Sequence, residues 1–184
     1  MNFEIIIGIL LAGILSNNYA LLHFLGTGAV IENERSSRKS LIIGLGTTIV
    51  MVIAAAITWP INHYLLASVP YLHTLVTVIV ILVVVELVHL ITKKGLEGYC
   101  KVDFLKFAIN GAVLGLCLHN LHLGYVENLL TAFSVGIGLT CTMIVFSSLQ
   151  HKVDEEAVPS SFRGLPIALL IAGMMALALL AFVK

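Results

Sequence analysis

The stretch GLGTTIVM at residues 44–51 decides the fold, because GIGLTCTM at residues 136–143 repeats it half a chain length later. The shift of 92 positions superposes identical residues within this repeat, namely Gly44 on Gly136, Gly46 on Gly138, Thr48 on Thr140 and Met51 on Met143. Outside the repeat it superposes Asn18 on Asn110. Chance matches between two apolar segments would be mainly leucine, isoleucine and valine. These pairs therefore indicate an internal duplication within one domain, 1–184, made of a first repeat, 1–92, and a second repeat, 93–184.

The composition indicates an integral membrane protein. Hydrophobic residues make up 59% of the chain and charged residues 11%, and the mean hydropathy is +1.06. A soluble domain carries about a quarter charged residues. The sequence therefore predicts an all-α membrane protein in contact with the lipid bilayer.

The apolar segments predict six membrane-spanning helices, three in each repeat. Crossing about 30 Å of hydrocarbon takes about 20 residues. Six stretches approach or exceed that length: 3–27, 41–66, 70–92, 104–124, 126–149 and 164–183. An odd number of helices per repeat inverts the second repeat relative to the first, and inverted repeats place functional sites near the membrane midplane.

The basic residues predict the orientation. Nine of the ten lysines and arginines lie in or beside the polar segments 31–40, 93–103 and 150–163, and only Lys184 lies on the opposite side. Lysine and arginine are enriched in cytoplasmic loops. We therefore expect the three polar segments in the cytoplasm and both termini outside, in a bacterial-type inner (cell) membrane.

Polar and glycine residues recur at matching depth in the first and fourth apolar stretches, and they predict that both helices are broken. Adjacent amides in hydrocarbon are costly unless they are paired. The candidate interface between the broken helices comprises Asn17, Asn18, Gly26, Gly28, Asn110, Gly111 and Gly115. The freed backbone groups would be satisfied by the other repeat or by another protein chain. The alternative is close helix packing through glycine, with asparagine hydrogen-bonding between helices.

The repeated segment around Gly44 and Gly136 predicts close packing between the second and fifth helices, since small residues let helices approach.

Glu86 is the only carboxylate inside a strongly apolar run, and His89 lies three residues later on the same helical face. Ionisable residues inside membranes often line ion paths, so this pair is a possible ion path. The alternative is a carboxylate near the interface, paired with a histidine or a basic loop residue.

Other residue patterns exclude several functions. The three cysteines, Cys100, Cys117 and Cys141, form no CxxC pair. His119 and His122 lack an evident third ligand, so we predict an interfacial role for them and no metal site. Nucleotide-binding glycine loops and nucleic-acid recognition motifs are absent from the sequence, and no nucleic-acid partner is expected.

Three segments resemble the membrane subunits of the Rnf and Na⁺-translocating Nqr complexes, most closely the A-type subunit of Rnf and its E-type counterpart in Nqr. These are SNNYALLHFLG at 16–26, AINGAVLG at 108–115 and VPSSFRGLPIALLIAGMMALAL at 158–179. The resemblance implies six helices in an inverted 3+3 arrangement. It also implies redox-coupled Na⁺ or H⁺ translocation. The implied partner is a paralogous subunit in a pseudo-symmetric heterodimer, or a second copy in a homodimer, alongside other Rnf- or Nqr-type subunits.

The family shares a [2Fe–2S] cluster between paired subunits, and thiolates are the usual ligands of such clusters. The resemblance places the two ligand positions of this chain at Gly28, in FLGTG, and at Gly111, in ING. Glycine has no side chain to bind iron, so no cofactor is expected in this chain.

Three interpretations of function remain open. The chain is a diverged Rnf- or Nqr-type subunit within a redox-driven pump, whose enzyme activity belongs to other subunits. Alternatively, it is a small transporter or channel on the same scaffold that has lost the cluster. The third interpretation is a structural or assembly partner.

Overall fold

The computed structural model of the chain describes residues 3–16, 37–65, 69–95, 111–153 and 158–181. Within these ranges there are six α-helices: α1 (Phe3–Leu11), α2 (Ser37–Pro60), α3 (His73–Gly95), α4 (Gly111–His119), α5 (Tyr125–Lys152) and α6 (Leu165–Leu180). Two π-helical turns, Ala12–Ser16 and Ile61–Leu65, continue α1 and α2. Short 3₁₀ turns lie at Pro70–Leu72, Asn120–His122 and Ser160–Phe162. The described residues contain no strand, so the all-α prediction is confirmed for this part of the chain.

Two helical segments are long and apolar enough to cross a membrane, Ser37–Tyr64 and Tyr125–Lys152, each 28 residues long. Two shorter apolar helical segments are His73–Val88 and Leu165–Leu180. The second and fifth helices both extend into segments that the sequence assigned to polar loops. α2 begins at Ser37 and α5 ends at Lys152, because charged residues in a terminal turn reach water without ending the helix.

The centre of the fold is an antiparallel pair formed by α2 and α5. Ser37 near the start of α2 contacts Ser148 near the end of α5, with 3.3 Å between the hydroxyl oxygens. Towards the other end, the Asn128 side-chain amide of α5 donates a hydrogen bond to the Ala55 carbonyl of α2 at 3.0 Å. Positions therefore rise along one helix as they fall along the other, which makes the pair antiparallel.

Glycine and threonine bring α2 and α5 together through reciprocal contacts. Gly44 packs against Thr140, and its counterpart Gly136 packs against Thr48. Between these contacts, the Thr48 and Thr140 hydroxyl oxygens lie 3.2 Å apart. Each threonine also donates to the glycine carbonyl four residues earlier on its own helix. A contact in which residue i meets j′ and j meets i′ is the signature of two-fold symmetry. The predicted packing between the second and fifth helices is confirmed.

The other helices pack on this pair in equivalent ways in the two halves of the chain. α3 and α4 lie against α2, whereas α6 and α1 lie against α5. Thus α1 of the first half docks on a helix of the second half, and α4 does the converse. The contact between α3 and α4 likewise matches that between α6 and the π turn Ala12–Ser16.

The buried core lies where these helices meet, and its largest fully buried side chains include Ile43, Met51, Leu116, Leu139 and Phe146. Many large apolar side chains on the outward faces are exposed, particularly on α3 and α6. Such faces suit a lipid environment, in which apolar side chains need no protein cover.

Candidate functional site

The first helix changes its hydrogen-bonding pattern partway along its apolar run. α1 ends at Leu11, and the π turn Ala12–Ser16 follows, directly before Asn17 and Asn18 in the sequence. In a π turn the hydrogen bonds skip one residue more than in an α-helix, and such turns are frequent at functional sites. The transition leaves backbone carbonyls near the end of α1 in need of other donors.

Ser134 of α5 supplies that donor. Its hydroxyl oxygen lies 2.7 Å from the Leu10 carbonyl and 3.1 Å from the Ile9 carbonyl, so one hydroxyl proton is shared between two acceptors. Ser134 is buried. A side chain of the second half of the chain therefore satisfies the backbone of the first helix where its α-helical pattern ends.

Two glycines allow this close approach. Gly138 of α5 lies against the backbone of the π turn, and a Cβ atom at Gly138 would stand 2.7 Å from the Gly13 carbonyl oxygen. Conversely, a Cβ atom at Gly13 would overlap the Ser134 side chain and stand 3.0 Å from the Val135 nitrogen. Backbone packs directly on backbone at this crossing.

The described residues cover part of the predicted broken-helix interface. Gly111 is the first residue of α4 and is exposed, and Gly115 lies one turn later and is partly buried. The other five predicted residues lie outside the described residues: Asn17, Asn18, Gly26, Gly28 and Asn110. Among the described side chains, no three histidines, cysteines, aspartates or glutamates come together as a metal-binding group.

Glu86 lies on the outward face of α3. It is exposed, and so are its neighbours on that face, Ile79, Leu82, Val83 and Leu90. The opposite face, with Ile81, Val84 and Val85, is buried in the core. Glu86 precedes Lys93 by seven residues, which corresponds to about 10 Å along a helix. The carboxylate therefore interrupts an exposed apolar face well inside the predicted span. The side chain of His89 is not among those that the structure describes.

Buried amides near one end of the bundle were not recognised as a group from the sequence. Asn120 donates from Nδ2 to Asn128 Oδ1 at 3.0 Å, and Asn128 in turn donates to the Ala55 carbonyl. Asn62, in the π turn after α2, donates to Thr77 Oγ1 at 3.2 Å and accepts from His73 Nδ1 at 2.7 Å. These bonds join α2, α3, α4 and α5 through buried polar groups, and asparagine within apolar segments was the signal available for finding them.

An aromatic cluster covers the same end. Trp59 stacks on His63 with ring centroids 4.8 Å apart, and Tyr125 meets Trp59 edge-on at 5.3 Å. The indole Nε1 donates to the Leu123 carbonyl at 2.7 Å. Tryptophan and tyrosine concentrate at membrane–water interfaces, and this cluster has the composition typical of such an interface. His119 and His122 are both exposed at this end, where the sequence predicted an interfacial role.

Comparison with known proteins identifies the family to which the chain is similar. The family model described as "Rnf-Nqr subunit, membrane protein" matches residues 6–184. The chain is 34% identical over 181 residues to the A-type subunit of the ion-translocating oxidoreductase complex of Syntrophotalea carbinolica, with 95% of this chain and 94% of that protein covered. It is 32% identical over 184 residues to the A-type subunit of the Na⁺-translocating ferredoxin:NAD⁺ oxidoreductase complex of Acetobacterium woodii, with 96% of each covered.

Proposed function

Because this chain belongs to the Rnf-Nqr family of membrane subunits, we propose that it is a membrane subunit of a redox-driven complex and contributes to Na⁺ or H⁺ translocation. The observation that carries this proposal is the match to A-type subunits of ion-translocating complexes along nearly the whole chain. The redox chemistry itself belongs to other subunits, which bind the electron donor and acceptor.

We further propose that the six helices form an inverted 3+3 repeat, with both termini outside and the polar segments in the cytoplasm. The antiparallel α2–α5 pair and its reciprocal glycine–threonine contacts support this arrangement. The aromatic cluster lies at the end of α2 opposite the basic residues Arg38 and Lys39, which agrees with a cytoplasmic start of α2. The interrupted first and fourth helices would then meet near the midplane.

The residues of this chain do not fit a shared iron–sulfur cluster. The resemblance places one ligand position at Gly111, an exposed residue without a side chain at the start of α4, and the other at Gly28. Thiolates are the usual cluster ligands. We therefore propose that this chain contributes no cluster ligand, and that electrons pass through other subunits.

A small transporter or channel on the same scaffold is the second candidate function. The two glycines at the ligand positions favour it, because they remove the family's electron carrier from this chain. Affinity purification of the tagged chain from native membranes, in mild detergent and without oxygen, separates the two functions. Recovery of flavin- or iron–sulfur-containing subunits supports the redox pump, whereas recovery of the chain alone, or with only a paralogue, supports the transporter.

Replacing Asn18 or Asn110 by leucine is expected to destabilise the protein or its assembly, because each change removes a hydrogen-bonding amide from the proposed broken-helix interface. Buried hydrogen-bond partners left unsatisfied cost about 1–3 kcal/mol each. The measurement is the yield of assembled complex and its thermal stability. Asn18→Ser and Asn110→Ser, which keep a polar group, serve as milder controls. If both leucine variants keep full assembly and activity, the proposed interface is wrong.

Glu86→Gln is expected to lower redox-driven ion uptake into vesicles by about tenfold or more, equivalent to 1.4 kcal/mol, while the complex still assembles. Glutamine keeps the size of the side chain but cannot carry a proton or a charge. Glu4→Gln is the matched control, because Glu4 is also exposed but lies in the first turn of α1. Unchanged uptake in Glu86→Gln would remove Glu86, with His89, from the ion path.

A further inference from the structure

A closed ring of buried polar groups lies between α2, α4 and α5. Ala55 is joined to Asn128 by a hydrogen bond, and Asn128 to Asn120 by another. Cys117 of α4 lies three residues before Asn120, and its thiol lies beside the Thr58 hydroxyl. Thr58 lies three residues after Ala55 on α2, which closes the ring. All five residues are at most 3% exposed.

One atom of this ring has lone pairs but no protein donor. Asn120 Oδ1 is fully buried and accepts no hydrogen bond within the described part of the chain, although Asn120 Nδ2 is paired. A buried amide oxygen without a partner is destabilising, because the hydrogen bonds that it loses to water on folding are not replaced. The uncompensated atom is an acceptor, so its partner must be electropositive.

The hydrogen-bonding groups of the ring that remain unused are also mainly acceptors. Thr58 donates its hydroxyl proton to the Ala54 carbonyl at 2.6 Å and therefore presents only lone pairs to other groups. Asn128 Oδ1 accepts one hydrogen bond and has a second lone pair. Neutral amide, hydroxyl and carbonyl oxygens of this kind replace the hydration shell of alkali cations in membrane proteins.

We propose that the ring around Asn120 binds a Na⁺ ion, with Asn120 Oδ1 as the principal ligand and the oxygens of Thr58 and Asn128 beside it. This inference rests on the proposed role in ion translocation and places a cation site within that role. The ring lies within about one helical turn of the aromatic cluster at Trp59 and Tyr125, which marks the membrane surface proposed to face outside. A cation bound here would be close to that surface and already separated from bulk water.

The test uses the purified full-length chain, alone or in its complex, and measures Tm while NaCl is titrated against KCl at constant ionic strength. A ligand that binds only the folded state raises stability with the logarithm of its concentration. We expect Tm to rise with Na⁺ and not with K⁺, and equilibrium binding of radioactive Na⁺ to show a saturable site. Asn120→Leu should weaken the Na⁺ response by about tenfold or more, or 1.4 kcal/mol, and Asn120→Asp should retain it.

Asn62→Leu is the matched control. Asn62 is a buried asparagine in the same end of the bundle, but both its nitrogen and its oxygen have protein partners. Its replacement should lower Tm equally in both salts and leave the difference between Na⁺ and K⁺ intact. If wild-type protein responds equally to Na⁺ and K⁺, the site is overturned and Asn120 Oδ1 holds a structural water only. The wild-type measurement decides this even if Asn120→Leu fails to fold.

The outcome is independent of the purification experiment on function. Redox subunits that copurify with a chain lacking a Na⁺ response would overturn the cation site and leave the proposed redox-driven function standing. A Na⁺ response that depends on Asn120, in a chain purified without redox subunits, would support the site and favour the transporter.

Discussion

Replacing Gly44 or Gly136 by alanine is expected to lower the stability of the folded protein strongly. An added Cβ at Gly44 would lie 2.7 Å from Thr140 Cγ2 and Oγ1 and 2.9 Å from Thr140 Cα. At Gly136 it would lie 2.5 Å from Thr48 Cγ2. Overpacking a core costs about 1–3 kcal/mol. Because backbone as well as side-chain atoms obstruct the new methyl group at Gly44, rotation of Thr140 cannot remove the clash, and we expect the upper end of that range.

The measurement is the fraction of monodisperse protein in detergent together with its Tm, and Gly173→Ala is the control. Gly173 lies in α6, where an added Cβ meets no atom within 4 Å. Alanine is favoured over glycine in a helix interior by about 1 kcal/mol, so this variant should be as stable as wild type or slightly more so. Gly44→Ala and Gly136→Ala variants as stable as Gly173→Ala would contradict the close packing.

The reciprocal glycine–threonine contacts also predict how the two variants compare with each other. Both variants should be destabilised, since each glycine faces the threonine that the other half provides, and Gly44→Ala should be affected more, because a backbone atom of Thr140 also obstructs its Cβ. Thr48→Ser should partly restore Gly136→Ala, because it removes the nearest methyl group and keeps the hydroxyl that faces Thr140. Thr140→Ser should restore Gly44→Ala less, because Thr140 Oγ1 and Cα remain close.

The α2–α5 contact could be predicted from sequence because its determinants are short and repeated. Helices approach closely only where side chains are small, and Gly44, Gly136 and the threonines beside them appear at equivalent positions in both halves. The repeat therefore identified the partner helix as well as the contacting face. For this contact, the repeated sequence pattern was sufficient to predict the packing of the two helices.

The amide ring and the π turn could not be located in this way. Asn120 and Asn128 meet across the turn between α4 and α5, and Asn128 reaches Ala55 on a third helix. Their counterparts under the 92-residue shift, Gly28 and Ser36, are not asparagines. Which amides meet depends on helix rotation and crossing geometry, which residue periodicity does not specify. Similarly, Asn17 and Asn18 signalled a break in the first helix, but the π turn already begins at Ala12.

Gly138→Ala is expected to detach α1 from α5 while leaving the α2–α5 pair intact. The added Cβ would stand 2.7 Å from the Gly13 carbonyl oxygen and 3.1 Å from Ile14 Cα, and neither backbone atom can rotate away. Separating the helices would also break the hydrogen bonds from Ser134 to the Ile9 and Leu10 carbonyls. Each buried group left unpaired costs about 1–3 kcal/mol. α1 and its π turn make their main helix contacts with α5, and the turn also contacts α6, so the loss should be local.

Hydrogen exchange in detergent measures this local loss directly. Residues 3–16 should exchange faster in Gly138→Ala, whereas α2 and most of α5 keep their protection, because local opening requires only that α1 lose its contacts. Gly8→Ala is the matched control on α1 itself, since a Cβ at Gly8 meets no atom within 4 Å, and it should leave exchange unchanged or slower. Unaltered protection of residues 3–16 in Gly138→Ala would show that the glycine contact does not hold α1 in place. Accelerated exchange confined to α1, accompanied by loss of ion uptake or of other subunits, would place the interrupted helix within the working part of the assembly.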